Sequence, residues 1–231
     1  WGDSPAGDSL VAAYEWAVAN RPAPEPELKK RYGSLFGSLL HATKFRPDIS
    51  TALGYLGTCL TICTEDLYQC ALRILVYLTR TRKMGVCYSK HVMDAPVLRA
   101  YADSNWSTTR STTGFVIMLA GGAVSHASRR QHCIAMSSTE AELVALADCA
   151  IELLYVRSLM KFLGRDCSKA IDVYTDNKGA YDLCHRFTSA QNSRHIDRKM
   201  FKMRELRGAG KAQVSLVFGD TNPADMFTKI L

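Results

Sequence analysis

Apolar residues recur every three to four positions over residues 28–83, which predicts helices there, whereas shorter apolar and alternating runs begin near residue 85. The helical stretch opens with LKKRYGSLFGSLLHATK and holds two further start signals, Pro47 inside a first turn and Thr64 as an N-cap. The preceding residues are rich in alanine, proline and glycine, and their alternate prolines favour an extended linker. We therefore expect a linker (1–27), a helical segment (28–84) and a second domain (85–231).

The second domain combines strand and helix patterns. The runs GVCYSK and PVLRAYAD are strand-like, and TTGFVIMLAGGAVSHASR predicts a hairpin that turns at Gly121-Gly122. A long helix is predicted from Ser138 to Leu163, where Gly164 ends it. The remaining predicted elements are a strand (170–175), a helix (177–185), a basic helix (195–208), a strand (212–218) and a terminal helix (223–230). This order predicts an α/β domain, a mixed sheet with flanking helices.

The composition is typical of a globular, intracellular protein. The 231 residues are 47% hydrophobic, and the absence of a run of 18 apolar residues argues against a membrane span. The eight cysteines form no CxxC pair, and several lie in apolar helical runs, which favours reduced, buried thiols over disulfides. The histidines lack zinc-binding spacing, so a structural zinc site is not expected.

Positive charge is concentrated between residues 186 and 211. This stretch holds eight lysines and arginines against two acidic residues, which accounts for +6 of the net charge of +7. A solvated helix face explains such a run as well as a phosphate-binding surface does. If the run contacts nucleic acid, Arg194, Arg198 and Lys202 have the i, i+4, i+8 spacing to reach backbone phosphates. The residues predicted to face the core from the same helix are Ile196, Met200 and Met203.

Four acidic residues lie where a strand end or a helix start would hold them rigidly. They are Asp103 in LRAYADSNW, Glu142 in SSTEAELVAL, Asp176 in IDVYTDNKGA and Asp225 in TNPADMFTK. Aspartate is a poor strand residue, so its use at two strand ends suggests a site built there. Carboxylate oxygens are the ligands that hard divalent cations prefer, and paired Mg²⁺ ions promote displacement at phosphorus. The pattern predicts a metal-dependent nuclease.

Two of these residues, and the neighbouring Glu140, also have ordinary structural explanations. Ser137-x-x-Glu140 predicts a capping box that accounts for Glu140, whereas Glu142 lies about 200° around the helix and is the predicted ligand. Asp176 is also explained as an N-cap, and Asp225 as an acidic residue in a first helical turn. Capping explains each residue singly but does not explain why they occur together.

Four longer segments occur in a recognisable order: RSTTGFVIMLAGGAVSHASRRQHCIAMSSTEAELVALADCAIELLYVRSLMKFLG, YTDNKGA, SRHIDRKMFKMRE and NPADMFTKIL. They resemble the ribonuclease H region at the end of the Pol polyprotein of Ty1/copia-type LTR retrotransposons. YGSLFGSLLHATKFRPDI and ALRILVYLTRTRKMGVCYSK are similar to the segment that joins the reverse-transcriptase core to that region. The resemblance covers residues 29–231, and the reverse-transcriptase palm with its Tyr-x-Asp-Asp loop is absent.

The resemblance implies a ribonuclease H-like five-stranded mixed sheet with flanking helices, and hydrolysis of the RNA strand of RNA–DNA hybrids. The resemblance also implies a site for two Mg²⁺ ions, or for Mn²⁺ in their place. In that site Asp103 bridges both ions, Glu142 and Asp176 bind one ion, and Asp225 binds the other. Cellular ribonucleases H have a histidine shortly before the last aspartate, and VFGDTNPAD has none. His195 is better explained as an exposed residue at a helix start than as its replacement.

The implied partners are an RNA–DNA hybrid and the reverse-transcriptase core of the same polyprotein, in a cytoplasmic virus-like particle or the nucleus. Two alternatives remain open. One is a catalytically silent hybrid-binding or connection module of a decayed or domesticated element, against which the four intact carboxylates argue. The other is a DNA nuclease or transposase on a related fold, which the YTDNKGA and PADMFTK contexts do not match.

Overall fold

The structure is a computed structural model that describes residues 6–89, 98–165, 167–185 and 194–229, without the side chains of residues 6–8 and 194–198. The chain divides into two compact units. One contains the residues up to Val86 together with Lys229, and the other runs from Cys87 to Thr228. Each unit has its own hydrophobic core.

In the first unit, every secondary-structure element among the described residues is a helix. Its elements are α1 (Ala6–Asn20), α2 (Pro26–Ala42), a short 3-10 helix (Pro47–Ile49), α3 (Ser50–Thr58) and α4 (Glu65–Arg80). The predicted N-cap is present, because the Thr64 hydroxyl accepts a hydrogen bond from the Leu67 amide at 3.3 Å. In this core the Tyr32 ring is buried, and its hydroxyl donates to the Leu56 carbonyl at 2.8 Å.

The linker predicted at residues 1–27 differs from the structure, which has helix α1 there. Leu10 and Ala17 of α1 are buried in the core of the helical unit. The alanine content that we interpreted as linker composition therefore reflects a helix with small residues on its packed face. The prolines do mark a break, since no helix occupies residues 21–25 and Pro26 is the first residue of α2.

In the second unit the described residues form a five-stranded mixed sheet in the order β3-β2-β1-β4-β5. The strands are β1 (Arg99–Asn105), β2 (Thr112–Leu119), β3 (Gly122–Arg130), β4 (Ile171–Thr175) and β5 (Ala212–Leu216). Strand β1 pairs antiparallel with β2 and parallel with β4, β2 pairs antiparallel with β3, and β5 lies parallel to β4. The predicted mixed sheet is confirmed.

The hairpin between β2 and β3 turns one residue earlier than predicted. Ala120 and Gly121 have φ angles of 53° and 84°, and two consecutive positive values are what a type I′ hairpin turn requires. Gly122 already belongs to β3, where a Cβ would lie 2.6 Å from the ring of Tyr88. The strand-like run GVCYSK forms no strand over residues 85–89, although the Ser89 amide donates to the Ala120 carbonyl at 2.8 Å.

Three helices flank the sheet in the described part of this unit: α5 (Ser138–Phe162), α6 (Lys178–His185) and α7 (Arg194–Gly208). Helix α5 packs on the sheet through a core that includes Ala102, Phe115, Leu146 and Val173. In α7, Met200 and Met203 are buried as predicted, while the Ile196 side chain lies outside the described atoms. The predicted terminal helix is instead a 3-10 helix over Pro223–Phe227. No helix among the described residues is long and apolar enough to cross a membrane.

Candidate metal centre

Three of the four predicted carboxylates meet at one edge of the sheet. Asp103 lies in β1, Glu142 in the second turn of α5, and Asp176 directly after β4. One oxygen from each carboxylate can be chosen so that all three lie within 4.8 Å of one another. Asp103 and Glu142 are only 5% and 4% exposed, and Asp176 is half-buried. The arrangement concentrates negative charge in a place that is largely shielded from water.

The topology of the sheet explains why two of these aspartates meet. Strands β1 and β4 are parallel neighbours, with Ala100 opposite Val173 and Tyr101 opposite Tyr174. Continuing this register brings Asp103 level with Asp176. Side chains at the carboxyl ends of adjacent parallel strands share an edge of the sheet, so residues far apart in sequence come together.

Glu142 reaches the same edge from the helix, and its carboxylate is held by three hydrogen bonds. Oε1 accepts from the Ser104 amide at 2.8 Å and from the Ser104 hydroxyl at 2.9 Å. Oε2 accepts from the buried Thr175 hydroxyl at 3.1 Å. Because Ser104 belongs to β1 and Thr175 to β4, the carboxylate spans the two strands that supply the aspartates.

The structure places Glu142 in the carboxylate group and uses Glu140 as a helix cap. The Ser137 hydroxyl accepts from the Glu140 amide at 3.2 Å, which is the first half of the predicted capping box. In the second half, Glu140 Oε2 accepts from the Met136 amide at 2.7 Å, one residue before the expected Ser137. That Glu142 is a metal ligand stays a prediction.

Asp225 is not part of the three-carboxylate group among the described residues. It lies in the 3-10 helix Pro223–Phe227, which is tied to β1 by two polar contacts. The Asn222 side-chain amide (Nδ2) donates to the Ala102 carbonyl at 3.1 Å. The Thr228 hydroxyl contacts both Asp103 Oδ2 and, at 3.1 Å, the backbone oxygen of Asp225. The turn carrying the fourth carboxylate is thereby fixed to the strand that carries the first.

The pKa of Glu142 reflects the burial and the negative charge of the group. Burial, followed by the negative charges of Asp103 and Asp176, raises the pKa of Glu142 to about 8, even though the hydrogen bonds from Ser104 act to lower it. A cation held between these oxygens would offset both causes. The donor set is entirely oxygen and includes several carboxylates, which is the chemistry that Mg²⁺ and Mn²⁺ prefer. The residues therefore fit a hard divalent metal.

Two glycines that the sequence did not single out make room for this site. A Cβ on Gly114, which pairs with Asp103 in the sheet, would lie 2.6 Å from Thr228 Cγ2 and 2.9 Å from Phe227 Cβ. Gly114 thus lets the turn with Asp225 approach the sheet. A Cβ on Gly219 would lie 3.3 Å from Asp176 Oδ2, which shows how closely the loop after β5 passes the site. The RSTTG motif contained Gly114, but only the packing reveals its role.

The predicted phosphate-contacting stripe is only partly described. The side chains of Arg194 and Arg198 lie outside the described atoms, as does that of His195. Lys202 is partly exposed and lies 3.3 Å from Glu205. In the same helix, Lys199 pairs with Asp148 of α5 at 3.0 Å, so some of the positive charge serves packing within the domain. Phosphate binding by the three predicted residues stays a prediction.

Most of the chain is similar in sequence to parts of longer curated proteins. No protein-family model matches the chain. The "Retrovirus-related Pol polyprotein from transposon TNT 1-94" of Nicotiana tabacum is 31% identical over 208 residues, which is 88% of this chain and 15% of that protein. The corresponding polyprotein from transposon RE1 of Arabidopsis thaliana is 30% identical over 228 residues, or 93% of this chain and 15% of that protein. The chain thus spans about 15% of the length of these relatives.

Among solved structures, LC11-RNase H1, isolated from compost, is similar to the chain with a TM-score of 0.46 and 14% sequence identity. The similarity covers 57% of this chain and 92% of that one.

Proposed function

Because the chain is homologous over most of its length to Pol polyproteins of Ty1/copia-type transposons, we propose that it hydrolyses the RNA strand of RNA–DNA hybrids during reverse transcription of such an element. The reaction is endonucleolytic cleavage of phosphodiester bonds and depends on divalent metal. In this role the domain acts beside the reverse-transcriptase core of the same polyprotein, in a cytoplasmic particle or the nucleus.

The observation that carries the proposal is the group formed by Asp103, Glu142 and Asp176, in which one oxygen of each carboxylate lies within 4.8 Å of an oxygen of each of the others. A fold gains nothing in stability by holding three carboxylates so close, because each raises the cost of ionising the others. The pKa of Glu142, raised to about 8, reflects that cost. Such an arrangement is expected where a cation completes the site.

The four acidic residues have separate tasks in this proposal. Asp103 would contact both of two Mg²⁺ ions, Glu142 and Asp176 would hold one, and Asp225 would hold the other. When bound, the metals supply an activated water and stabilise the charge on the leaving oxygen. The protein supplies rigidity, because Ser104 and Thr175 fix the Glu142 carboxylate and Thr228 fixes Asp103. Recognition of RNA over DNA would rest on the 2′-hydroxyl.

A cleavage assay on labelled substrates tests the proposal. The full chain is incubated with an RNA–DNA hybrid, duplex DNA and duplex RNA, each in Mg²⁺ and in EDTA. We expect cleavage of the RNA strand of the hybrid in Mg²⁺ alone, and none by the Asp103→Asn variant. Binding of hybrid without cleavage would favour the catalytically silent module, and cleavage of duplex DNA would favour a DNA nuclease.

Matched variants on α5 locate the chemistry. Glu142→Gln should lose cleavage with little loss of stability, because the amide preserves the shape of the side chain but not its charge. Glu140→Gln should keep cleavage and lose about 1 kcal/mol of stability through the weakened cap. The reverse pattern would show that Glu140 is the functional carboxylate and would contradict the assignment.

A further inference from the structure

We propose that two exposed aromatic residues, Trp106 and Phe218, bracket the carboxylate site and hold the hybrid against it through contacts with sugars and base edges. This inference rests on the proposed function and adds to it two substrate-positioning residues. Neither belongs to the acidic set or to the basic stripe.

The sheet topology puts both residues at the carboxyl ends of the parallel strands, where the carboxylates also lie. Strands β1, β4 and β5 are parallel and adjacent in that order, so their carboxyl ends face the same way. Trp106 directly follows β1, and Phe218 lies two residues after the end of β5. Adjacent strands are about 4.8 Å apart, so the two strand ends lie about 10 Å from each other with the β4 end and Asp176 between them.

Trp106 is exposed but held in place. Its side chain retains 44% exposure, while the indole nitrogen donates to the Ala135 carbonyl at 3.1 Å. Ala135, which accepts this hydrogen bond, lies in the segment that leads into α5. Two residues before Trp106, Ser104 of β1 donates to the Glu142 carboxylate. An aromatic ring fixed at one end and open at the other offers contact area to a ligand without first having to be ordered.

Phe218 is even more exposed, at 87%, and its backbone is equally fixed. Its carbonyl accepts from the Thr221 amide and from the Thr221 hydroxyl, both at 2.9 Å. The next residue is Gly219, where a Cβ would come within 3.3 Å of Asp176 Oδ2. The phenyl ring therefore projects into solvent from a loop that touches the carboxylate site.

Exposure alone would carry little weight, because single exposed apolar side chains are common on soluble proteins. Here the two residues follow the strands on either side of β4, whose end carries Asp176, and both are held by hydrogen bonds to neighbouring residues. Hybrid helices approach the A-form, whose wide, shallow minor groove displays sugars, 2′-hydroxyls and base edges. Flat apolar rings at this edge suit that surface, whereas phosphates would call for lysine or arginine.

The chain contains a matched control for Phe218. Phe162 at the end of α5 has the same exposure, 87%. It lies twenty residues along that helix from Glu142, which corresponds to about 30 Å at 1.5 Å per residue. Replacing either phenylalanine by leucine removes an equally exposed ring, but only the Phe218 ring lies beside the site.

The experiment measures hybrid binding and cleavage by the full chain carrying Trp106→Leu, Trp106→Phe, Phe218→Leu or Phe162→Leu. Binding is measured with a fluorescent RNA–DNA hybrid in the Asp103→Asn background, where no cleavage is expected, and kinetics are measured in the native background. We expect Trp106→Leu and Phe218→Leu each to raise Kd and KM about tenfold, with kcat within about threefold of native. Phe162→Leu should change neither value, and Trp106→Phe should retain most of the affinity.

The outcomes separate this inference from the proposed function. If the native chain cleaves hybrid and the leucine variants bind it as tightly as Phe162→Leu does, the bracket is disproved and the nuclease assignment stands. If Trp106→Phe loses as much affinity as Trp106→Leu and both melt at lower temperature, Trp106 is only a tether to Ala135. If the native chain cleaves no hybrid, the proposed function fails. The binding measurements still test Trp106 and Phe218: weaker hybrid binding by their leucine variants supports the two contacts, and unchanged binding disproves them.

Discussion

Without metal, native protein should become less stable as pH rises, because Glu142 ionises in a buried site. Replacing Glu142 by glutamine should abolish this part of the pH dependence. The folded state raises the pKa of Glu142 to about 8, compared with an ordinary value of 4.5. Between these values the folded chain binds more protons than the unfolded chain. Stability therefore falls as pH increases through this window, and the loss is complete above pH 8.

The size of the effect follows from the same values. A difference of about 3.5 units at 1.36 kcal/mol per unit corresponds to about 5 kcal/mol, which is the upper limit. Between pH 5 and pH 8 only part of this titration takes place, and relaxation of the site and entry of water reduce the effect further. We therefore expect native protein in EDTA to lose about 1 to 3 kcal/mol relative to Glu142→Gln over this pH range. The side-chain amide of the glutamine can still accept hydrogen bonds from Ser104 through its oxygen, and its nitrogen can donate to the Thr175 hydroxyl.

Urea unfolding of native protein, Glu142→Gln and Glu140→Gln at pH 5, 6.5 and 8 in EDTA measures this effect. Other groups titrate in the same range, so the informative quantity is the difference between each variant and native protein at each pH. Glu140→Gln is the control for removing an acidic side chain from the same helix, because Glu140 caps α5 and lies outside the carboxylate group. A difference for Glu142→Gln that does not change with pH would refute the reasoning.

Other predictions concern the strand end, its packing and the basic stripe. Asp103→Asn should abolish Mg²⁺-dependent cleavage, and its melting temperature without metal should equal or slightly exceed that of native protein; full cleavage would remove Asp103 from the site. Gly114→Ala should cost about 1 to 3 kcal/mol in urea unfolding and lower cleavage, because its methyl group displaces the turn that carries Asp225; unchanged activity would show that this turn is dispensable. Replacing Arg194, Arg198 and Lys202 together by alanine should reduce the log–log salt slope of hybrid binding by about 1 per lost phosphate contact, and an unchanged slope would mean that the stripe faces solvent.

The sequence was sufficient for the order of strands and helices from β1 to β5 and for the three carboxylates that the structure brings together. Asp103 and Asp176 follow apolar strand runs, and Glu142 could be separated from Glu140 by helix geometry alone. These inferences need only local periodicity and the rule that parallel strands share an edge. Asp225 was selected in the same way, as an acidic residue at a predicted helix start, and the resemblance of the motifs added only the assignment of each carboxylate to a metal ion.

Features that depend on packing could not be predicted in this way. The burial of Leu10 and Ala17 depends on the packing of α1 against α3 and α4, which composition cannot show. The role of Gly114 depends on a contact with Thr228, 114 residues further along the chain. The turn at Ala120-Gly121 places an alanine at positive φ, and a sequence-based prediction assigns the adjacent glycine pair instead because glycine has no penalty there.

The carboxylate group links metal binding to stability as well as to chemistry. Without a cation, the fold keeps Glu142 buried beside two other acids, and its raised pKa expresses the free energy that this placement costs. A cation that binds only the folded chain opposes this cost. It stabilises the fold by RT ln(1 + [L]/Kd), where [L] is the concentration of the free cation and Kd its dissociation constant. The same ion favours the ionised form of Glu142, so the stabilisation should grow as pH rises, opposite to the trend without metal. A site that only shaped the fold would gain nothing from Mg²⁺, so the sign of this pH dependence separates a metal centre from a group of structural acids.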